Sequence, residues 1–404
     1  MNTIPKKRWL YAIAGVAVLL FGGLVYAWSV LAGPIAADFP DWTKAQLSLT
    51  FTLVMIFFCL GGLIGGLLSG KVKPQVLVLA SAVLFAIGFF LASRSETLLM
   101  LYLSFGVLCG LASGFSYNAV MSSISRWFPD KQGLISGILL MGFGIGAFLI
   151  GKLYQAFTPD TTGAWRTSFL VLGGAIFVVL ALCAWLICRP TEQFTVPAEK
   201  KAAAFEELSS KDMLKRGSFW LFYLWAIVLS AAGLCIVSQA SGIAEEVGKE
   251  ISGGTIATVV GLISIFNGIG RVISGWSYDK FGRSFTMQAD NVAFLLAGGV
   301  LIGALITNSF ALVVVGFALG GLAYGGVPPT NSAFASTYYG QKHYPVNYAI
   351  INTNLLIASF GSTIAGALYD ASGSYRNVFV MVCGLAAAGI VLSLGISLLD
   401  RRKK

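Results

Sequence analysis

Twelve long apolar segments divide this chain of 404 residues, and charged residues, prolines or glycines mark the breaks between them. A helix needs roughly 20 apolar residues to cross a hydrocarbon layer about 30 Å thick. The segments meet that length, which predicts an all-α membrane protein. The predicted spans cover residues 9–37, 44–69, 75–93, 97–125, 132–157, 164–188, 218–243, 254–278, 285–306, 309–336, 346–369 and 376–399.

The supply of charged residues points to the same conclusion. Only 11% of the residues are charged, against about 25% in soluble globular proteins. Such a chain cannot cover its own surface with polar groups, so the lipid bilayer is its first predicted partner. This excludes a soluble enzyme and a disulfide-linked secreted domain, and no nucleic acid is expected as a partner despite the net charge of +10.

Metal and cofactor chemistry finds little support in the sequence. The six cysteines lie in apolar segments without C-x-x-C spacing, and His343 is the single histidine. A membrane enzyme would need clustered His, Asp or Cys side chains at the membrane face. We therefore expect no catalytic residues, no metal and no cofactor.

The chain divides into two halves that resemble each other. A charged, alanine-rich linker at 189–217 separates predicted six-helix bundles at 1–188 and 218–404. The segment Phe58–Pro74 aligns with the segment that follows Phe266, and Gly66 falls on Gly275, 209 positions later. Parallel six-helix repeats with a substrate site between them are typical of transporters that work by alternating access.

The basic residues predict the orientation. Twenty Lys and Arg residues fall on the side of the membrane that holds both termini, and six fall on the opposite side. Because basic residues are enriched in cytoplasmic loops, both termini are predicted to be cytoplasmic. The remaining basic residue, Arg271, lies inside the eighth span.

The loop after the eighth span resembles the signature loop of the major facilitator superfamily, G-x-x-x-D-[KR]-x-G-[KR]. The defining positions are Gly275, Asp279, Lys280, Gly282 and Arg283. The corresponding loop of the first half has Gly70 in place of the aspartate. We expect the aspartate, beside a helix end, to latch the halves on the cytoplasmic side.

Two further segments resemble the oxalate:formate antiporter family, which belongs with the monocarboxylate porters. They are Tyr26–Pro34 and the stretch from Asn118 through Arg126-Trp127-Phe128-Pro129-Asp130-Lys131 to Gly133. The resemblance implies a major facilitator fold of 12 transmembrane helices arranged as two pseudo-symmetric six-helix bundles. It also implies a monomeric secondary transporter in a bacterial cytoplasmic membrane.

Arg271 is the main candidate for substrate binding. Burying an arginine in a span is costly, and its planar fork fits a carboxylate with two parallel hydrogen bonds. Asn267 lies one turn earlier on the same face and can complete the carboxylate's shell. The alternative is an arginine that extends its side chain to the interface. In the resembled family, an arginine at this place binds the anion.

Tyrosines and asparagines in other spans complete the predicted site. Tyr117 and Tyr324, which match site tyrosines of the resembled antiporter, can each offer a hydroxyl to an anion, although interfacial anchoring is the alternative. Asn118 has interhelical packing as its alternative, and Tyr26 and Trp28 could line the cavity or pack. Asn352 and Asn354 could bind a hydroxyl or keto group, or join helices.

Departures from the antiporter family narrow the substrate. Leu355 stands where that family has a second cation, a lysine, and Gly320 and Asn352 stand where it has tryptophans. One buried arginine balances one carboxylate, so a dianion would leave a charge uncompensated. The sequence therefore favours a small monocarboxylate such as L-lactate, pyruvate, formate or acetate.

Coupling to a proton is the expected source of energy, and exchange of two carboxylates is the alternative. Animal monocarboxylate transporters have an aspartate one turn before the arginine, and here that position holds Asn267. Asp290, beside Asn291, is a carboxylate early in the predicted ninth span, 285–306. It could carry a proton or form a structural pair.

Overall fold

The computed structural model describes residues 7–42, 44–159, 161–191 and 207–401, and within these ranges all regular structure is helical. Residues 192–206, most of the predicted linker, lie outside the described residues. The rest of that linker contains one short helix, Ser210–Leu214. The predicted all-α fold class is confirmed.

Eight α-helices lie in the described part of the first half of the chain. They are α1 (Arg8–Gly22), α2 (Trp28–Asp38), α3 (Lys44–Leu68), α4 (Pro74–Ser93), α5 (Leu98–Leu101), α6 (Gly110–Ile124), α7 (Gln132–Phe157) and α8 (Ala164–Ala184). A 3₁₀ segment, Gly23–Ala27, joins α1 to α2, and a π-helix, Tyr102–Cys109, joins α5 to α6. Pro74 begins α4, where its missing N–H leaves no hydrogen bond unmade.

Nine α-helices lie in the second half, between residues 207 and 401. They are α9 (Ser210–Leu214), α10 (Gly217–Ser238), α11 (Ala240–Val247), α12 (Gly253–Thr307), α13 (Phe310–Tyr339), α14 (Tyr344–Asn352), α15 (Asn354–Ala358), α16 (Phe360–Ser372) and α17 (Arg376–Arg401). Ser252 caps α12 by accepting a hydrogen bond from the backbone N of Thr255 (3.4 Å). Gly282 interrupts α12 with φ 80° and ψ 175°, a conformation that favours glycine.

The number of membrane-crossing segments is consistent with twelve. Ten helical segments among the described residues are long and apolar enough to cross a bilayer. One of them, Thr258–Thr307, has 50 residues and contains the break at Gly282, so it provides two spans. The broken helix from Arg8 to Asp38 provides a further one.

The chain separates into two compact units. The first comprises Met1–Asp130, Gly142–Lys201 and Tyr344–Ala349, and the second comprises Lys131–Met141, Ala202–His343 and Ile350–Lys404. The first turns of α7 thus group with the second unit, and most of α14 groups with the first. The bundle boundaries predicted at 188 and 218 stay a prediction.

A half-buried carboxylate joins α2 to α8 in the first unit. Asp38 Oδ2 accepts hydrogen bonds from the backbone N of Gly163 (2.7 Å) and from Trp165 Nε1 (2.7 Å). Gly163 adopts φ 75° directly before α8, a left-handed conformation that glycine allows at no steric cost. The carboxylate therefore fixes where α8 begins.

The second unit repeats this arrangement. Glu246, 208 positions after Asp38, accepts hydrogen bonds from Ser374 Oγ (2.7 Å) and from the backbone N of Tyr375 (3.0 Å). Gly373, 210 positions after Gly163, has φ 67°. The two halves therefore share a structural plan, as the sequence repeat predicts.

Close helix contacts are repeated as well. A side chain added at Gly61 or Gly114 would overlap the backbone carbonyl oxygen of the facing helix in the first unit. Gly270 and Gly325, 209 and 211 positions later, meet the same restriction in the second unit. Small residues allow membrane helices to approach this closely.

The Arg-Trp-Phe-Pro-Asp-Lys segment has a structural role in the first unit. Asp130 accepts hydrogen bonds from Nη1 (2.5 Å) and Nη2 (3.1 Å) of Arg8, whose guanidinium also lies 4.4 Å from the centre of the Phe128 ring. Trp127 Nε1 donates to the carbonyl of Cys188 (2.8 Å). The segment thus joins the start of α1 to the region after α8.

Asp38→Ala should lower the free energy of unfolding by about 1–3 kcal/mol, because it leaves two donors without their charged acceptor. Thermal unfolding in detergent measures the effect. Asp41→Ala, at an exposed position in the following turn, is the matched control. Equal stability of the two variants would contradict the role given to Asp38.

Candidate functional site

Arg271 and Asn267 form a hydrogen-bonded pair in the first half of α12, inside the second unit. Arg271 is only 9% exposed. Its Nε donates to Asn267 Oδ1 (2.8 Å), and its Nη1 donates to the backbone carbonyl of Leu140 (2.6 Å). Among the described residues, Nη2 makes no hydrogen bond. The guanidinium is therefore held inside the second unit by Asn267 and Leu140, and its part in substrate binding stays a prediction.

Tyr324 lies in α13 beside this pair. Gly325 packs so closely on the backbone of Asn267 and Arg271 that a side chain at Gly325 would overlap it. Tyr324, the residue before Gly325, is therefore held next to the arginine's turn. Its ring occupies the space that a side chain at Gly233 would need. The structure thus brings three predicted residues together in one unit.

Tyr117 belongs to an aromatic cluster in the first unit. Its hydroxyl lies 2.6 Å from the hydroxyl of Tyr348, and the two rings stack at 5.9 Å. Tyr344 stacks on Tyr348 from within α14 (5.2 Å), while Phe58 and Phe143 each approach Tyr117 edge-on at 5.1 Å. Tyr348 was not predicted. Its spacing of four from Tyr344, on one helix face, was the available signal.

Three other predicted residues of the first unit have separate outcomes. Asn118 Nδ2 donates to the backbone carbonyl of Pro345 (2.8 Å), which favours the packing alternative. Trp28 Nε1 donates to the carbonyl of Leu47 (2.9 Å), so Trp28 also packs. Tyr26 lies in the 3₁₀ segment between α1 and α2, and its side chain is outside the described part of the structure.

Asn354 is committed to helix packing. Its Nδ2 donates to the carbonyl of Ile351 (2.7 Å), and its Oδ1 accepts from Ser230 Oγ of α10 (3.1 Å). Asn352 is buried at the end of α14, and Thr353 separates it from α15. The predicted single span at 346–369 is thus broken into three helices. The side chain of Asn354 is hydrogen-bonded to Ile351 and Ser230.

The signature loop places its aspartate at the start of another helix. Asp279 accepts hydrogen bonds from the backbone N of Gly133 and of Leu134, both at 2.7 Å, in the first turn of α7. A carboxylate at this end of a helix is stabilised by the helix dipole. Gly275 and Gly133 approach each other so closely that a side chain on either would overlap the other's carbonyl oxygen.

The other signature residues make cation–ring contacts and the turn within α12. Lys280 Nζ lies 4.7 Å from the centre of the Trp276 ring. The guanidinium of Arg283 lies 5.5 Å from the centre of the Tyr338 ring of α13. Gly282 supplies the positive φ that turns α12 between these two cations.

Asp290 and Asn291 face different helices. Asp290 is 4% exposed and accepts a hydrogen bond from Ser274 Oγ (3.1 Å). Asn291 accepts one from Trp225 Nε1 of α10 (2.9 Å) and donates to Ser393 Oγ of α17 (3.2 Å). Both side chains therefore bond to neighbouring residues of the second unit, and the two roles predicted for Asp290 stay predictions.

The described residues contain no group of three or more His, Cys, Asp or Glu side chains that could hold a metal ion. All six cysteines are free. The available chemistry is hydrogen bonding to one buried arginine, with amide and phenol groups around it.

A family model matches almost the whole chain. The model described as Major Facilitator Superfamily matches residues 12–353 and 235–404. The chain belongs to the Major Facilitator Superfamily. This family consists of transporters rather than enzymes, and its members move small organic anions or sugars across a membrane.

Two curated relatives and one solved structure show the range of the superfamily. The oxalate:formate antiporter of Oxalobacter formigenes is 26% identical over 368 residues, which covers 90% of this chain and 85% of the relative. Monocarboxylate transporter 13 of Rattus norvegicus is 25% identical over 339 residues, covering 83% and 76%. The superfamily transporter FucP, in the outward conformation, aligns with TM-score 0.69 and 14% identity, over 97% and 99% of the two chains.

The relatives and the fold together make this superfamily protein a multi-pass membrane transporter. The likeness to FucP supports the major facilitator fold alone, because its sequence identity is low.

Asp279→Asn should loosen the start of α7, because the side chain loses the charge that holds two backbone N–H groups. Charge-assisted hydrogen bonds contribute about 1.5–3 kcal/mol, so the amides of Gly133 and Leu134 should exchange hydrogen roughly tenfold faster or more. Hydrogen–deuterium exchange measures this. Asp212→Asn, an exposed acid of α9, is the control. Unchanged exchange at Gly133 and Leu134 would contradict the role of Asp279.

Proposed function

We propose that this superfamily transporter carries a small monocarboxylate, such as L-lactate or pyruvate, together with a proton. The observation that carries the proposal is Arg271, a permanently charged side chain buried in an apolar helical unit. The relative named monocarboxylate transporter 13 supports the substrate class.

A carboxylate would bind Arg271 in place of a weaker acceptor. The guanidinium donates through Nη1 to the neutral carbonyl of Leu140, while Nη2 is available. A carboxylate can accept from both nitrogens at once, and charge-assisted hydrogen bonds are about twice as strong as neutral ones. Substrate would therefore displace the Leu140 carbonyl. Loss of the bond to Leu140 would release one end of the α7 segment 133–140, whose other end is bonded to Asp279.

The number of charges favours a monocarboxylate over a dicarboxylate. Arg271 neutralises one negative charge, and the antiporter family's second cation is replaced by Leu355. A second carboxylate would remain uncompensated in a low-dielectric interior. Asn267 and Tyr324 add a neutral amide and a phenol hydroxyl, which suit the substrate's remaining oxygen atoms.

Exchange of two carboxylates is the second candidate. The relative named oxalate:formate antiporter, 26% identical over 90% of this chain, favours it. Both candidates use Arg271 in the same way and differ in whether a proton gradient alone drives accumulation.

The proposed setting is a bacterial cytoplasmic membrane, with a monomeric transporter and both termini in the cytoplasm. The excess of basic residues on the side of the termini supports this orientation.

Arg271→Ala should abolish lactate transport, and Arg271→Lys should bind lactate about 10–100-fold more weakly, because lysine keeps the charge but loses the planar fork. Counterflow of labelled L-lactate into lactate-loaded proteoliposomes measures both variants. Arg376→Lys, at an exposed position of α17, is the control for the same chemical change.

The same vesicles distinguish the two candidates. Accumulation driven by an inward proton gradient supports symport, whereas counterflow without any response to the gradient supports exchange. Counterflow that persists in Arg271→Ala would contradict the proposed binding role, and no lactate signal in the wild type would contradict the substrate class.

Leu355→Lys should raise the affinity for oxalate, because it restores the second cation that the resembled antiporter uses. Inhibition of lactate counterflow by oxalate measures this, with Leu355→Met as the control that keeps the volume without the charge. The proposed basis of selectivity fails if oxalate inhibits the wild type and Leu355→Lys equally.

A further inference from the structure

Asp290 is a buried acid that the binding of a carboxylate does not use. It lies in the second half of α12, 4% exposed, between Ser274 of the same helix and Gly326 of α13. A side chain at Gly326 would overlap Asp290 Oδ1, so the glycine makes the space for the acid.

The contacts of Asp290 suit the protonated form. Oδ1 accepts one neutral hydrogen bond, from Ser274 Oγ, and Oδ2 is buried with no hydrogen-bond partner among the described residues. A buried carboxylate normally requires a cation or several donors, because burying an unpaired charge is very costly. Neither is present here, so this structure fits the neutral acid.

Of the described helices that pack against α12, α11 carries Glu245 and Glu246, and Glu246 is bound to Ser374 and Tyr375. The helix α7, which packs on α12 through its first turns, carries the exposed Lys152 in its last turns. The helices α10 and α13 contain no Asp, Glu, Lys or Arg, and the charged residues of α17 lie at its ends.

Within α12, Asp279, Lys280 and Arg283 lie around the break at Gly282, and the guanidinium of Arg283 lies over the Tyr338 ring. Arg271 is the cation in the interior of the first half. The titratable neutral groups on these helices are Tyr223, Cys235, Tyr278, Tyr324, Tyr338, Tyr339 and Cys383.

Asp290 is linked to the candidate carboxylate site through two contacts. Ser274 lies three residues after Arg271, within one turn of the same helix. Gly325, which packs on the backbone at Asn267 and Arg271, directly precedes Gly326, which contacts Asp290. Asp290 and Arg271 therefore both lie in α12, and adjacent residues of α13 pack against them.

We propose that Asp290 binds the proton that travels with the monocarboxylate. This rests on the proposed function, because it names the residue that couples substrate to proton. With Asp290 protonated, Arg271 is an unbalanced cation and attracts the anion. Once the carboxylate neutralises Arg271, nothing favours loss of the proton, so each ligand strengthens the binding of the other. The proton is taken from water and returned to water.

The test compares two activities of the full-length protein in proteoliposomes. Asp290→Asn keeps an oxygen for the Ser274 hydrogen bond but cannot exchange a proton. We expect lactate counterflow to remain measurable and accumulation driven by a proton gradient to be lost. Asp370→Asn, the same change at an exposed acid of α16, should keep both activities.

The outcomes separate this inference from the proposed function. Gradient-driven accumulation in Asp290→Asn overturns the inference and leaves monocarboxylate transport intact. A wild type that exchanges lactate but ignores the gradient also overturns it. A wild type without lactate counterflow instead contradicts the proposed function.

A second measurement, of proton uptake on lactate binding, tests the inference if Asp290→Asn folds but does not transport. In weakly buffered detergent solution, a pH-sensitive dye should report proton uptake when lactate binds the wild type. Asp290→Asn should bind lactate without that uptake, and equal uptake by both proteins overturns the inference. If Asp290→Asn does not fold or bind, Ser274→Ala is the substitute. It should shift the pH dependence of gradient-driven transport, and an unchanged profile overturns the inference.

Discussion

The second unit is organised around an arginine that cannot lose its charge in a medium that does not solvate it. Arg271 is satisfied by Asn267 one turn earlier and by a backbone carbonyl at Leu140. Gly325 allows α13 close enough to hold Tyr324 beside it. The two hydrogen bonds reduce the cost of the buried cation. Neither described contact is a counter-charge, which is the reason for proposing that an anionic ligand neutralises the arginine.

Local features of the site could be predicted from the sequence because they depend on helix periodicity or on one backbone conformation. The spacing of four between Asn267 and Arg271 indicates a shared face, and the structure shows the hydrogen bond. Gly282 in the signature loop likewise indicates a turn, and it has φ 80°. The fold followed from the apolar segments, since only helices or closed barrels satisfy the backbone in lipid.

Other features depend on contacts between distant segments. A backbone carbonyl such as that of Leu140 carries no sequence signature, and its partner lies 131 positions away. Tyr348 meets Tyr117 over 231 positions, outside the half-chain repeat. The break at Thr353 has no proline or glycine to signal it. For Asn354, substrate binding and helix packing were both consistent with the sequence. The hydrogen bond from Ser230, which favours packing, becomes visible only in the structure.

The two repeats share their structural contacts and differ in their chemistry. Asp38 and Glu246 hold equivalent helix starts, whereas the counterpart of Arg271, 209 positions earlier, is Gly62. The intramembrane charge therefore resides in one repeat. If Asp290 and Arg271 act as proposed, the loaded carrier holds a cation, an anion and a neutral acid. The carrier that has released both the substrate and the proton holds a cation and a carboxylate. Both interiors have zero net charge, so the membrane potential does no work on either crossing, and the chemical gradients alone set the direction of flux.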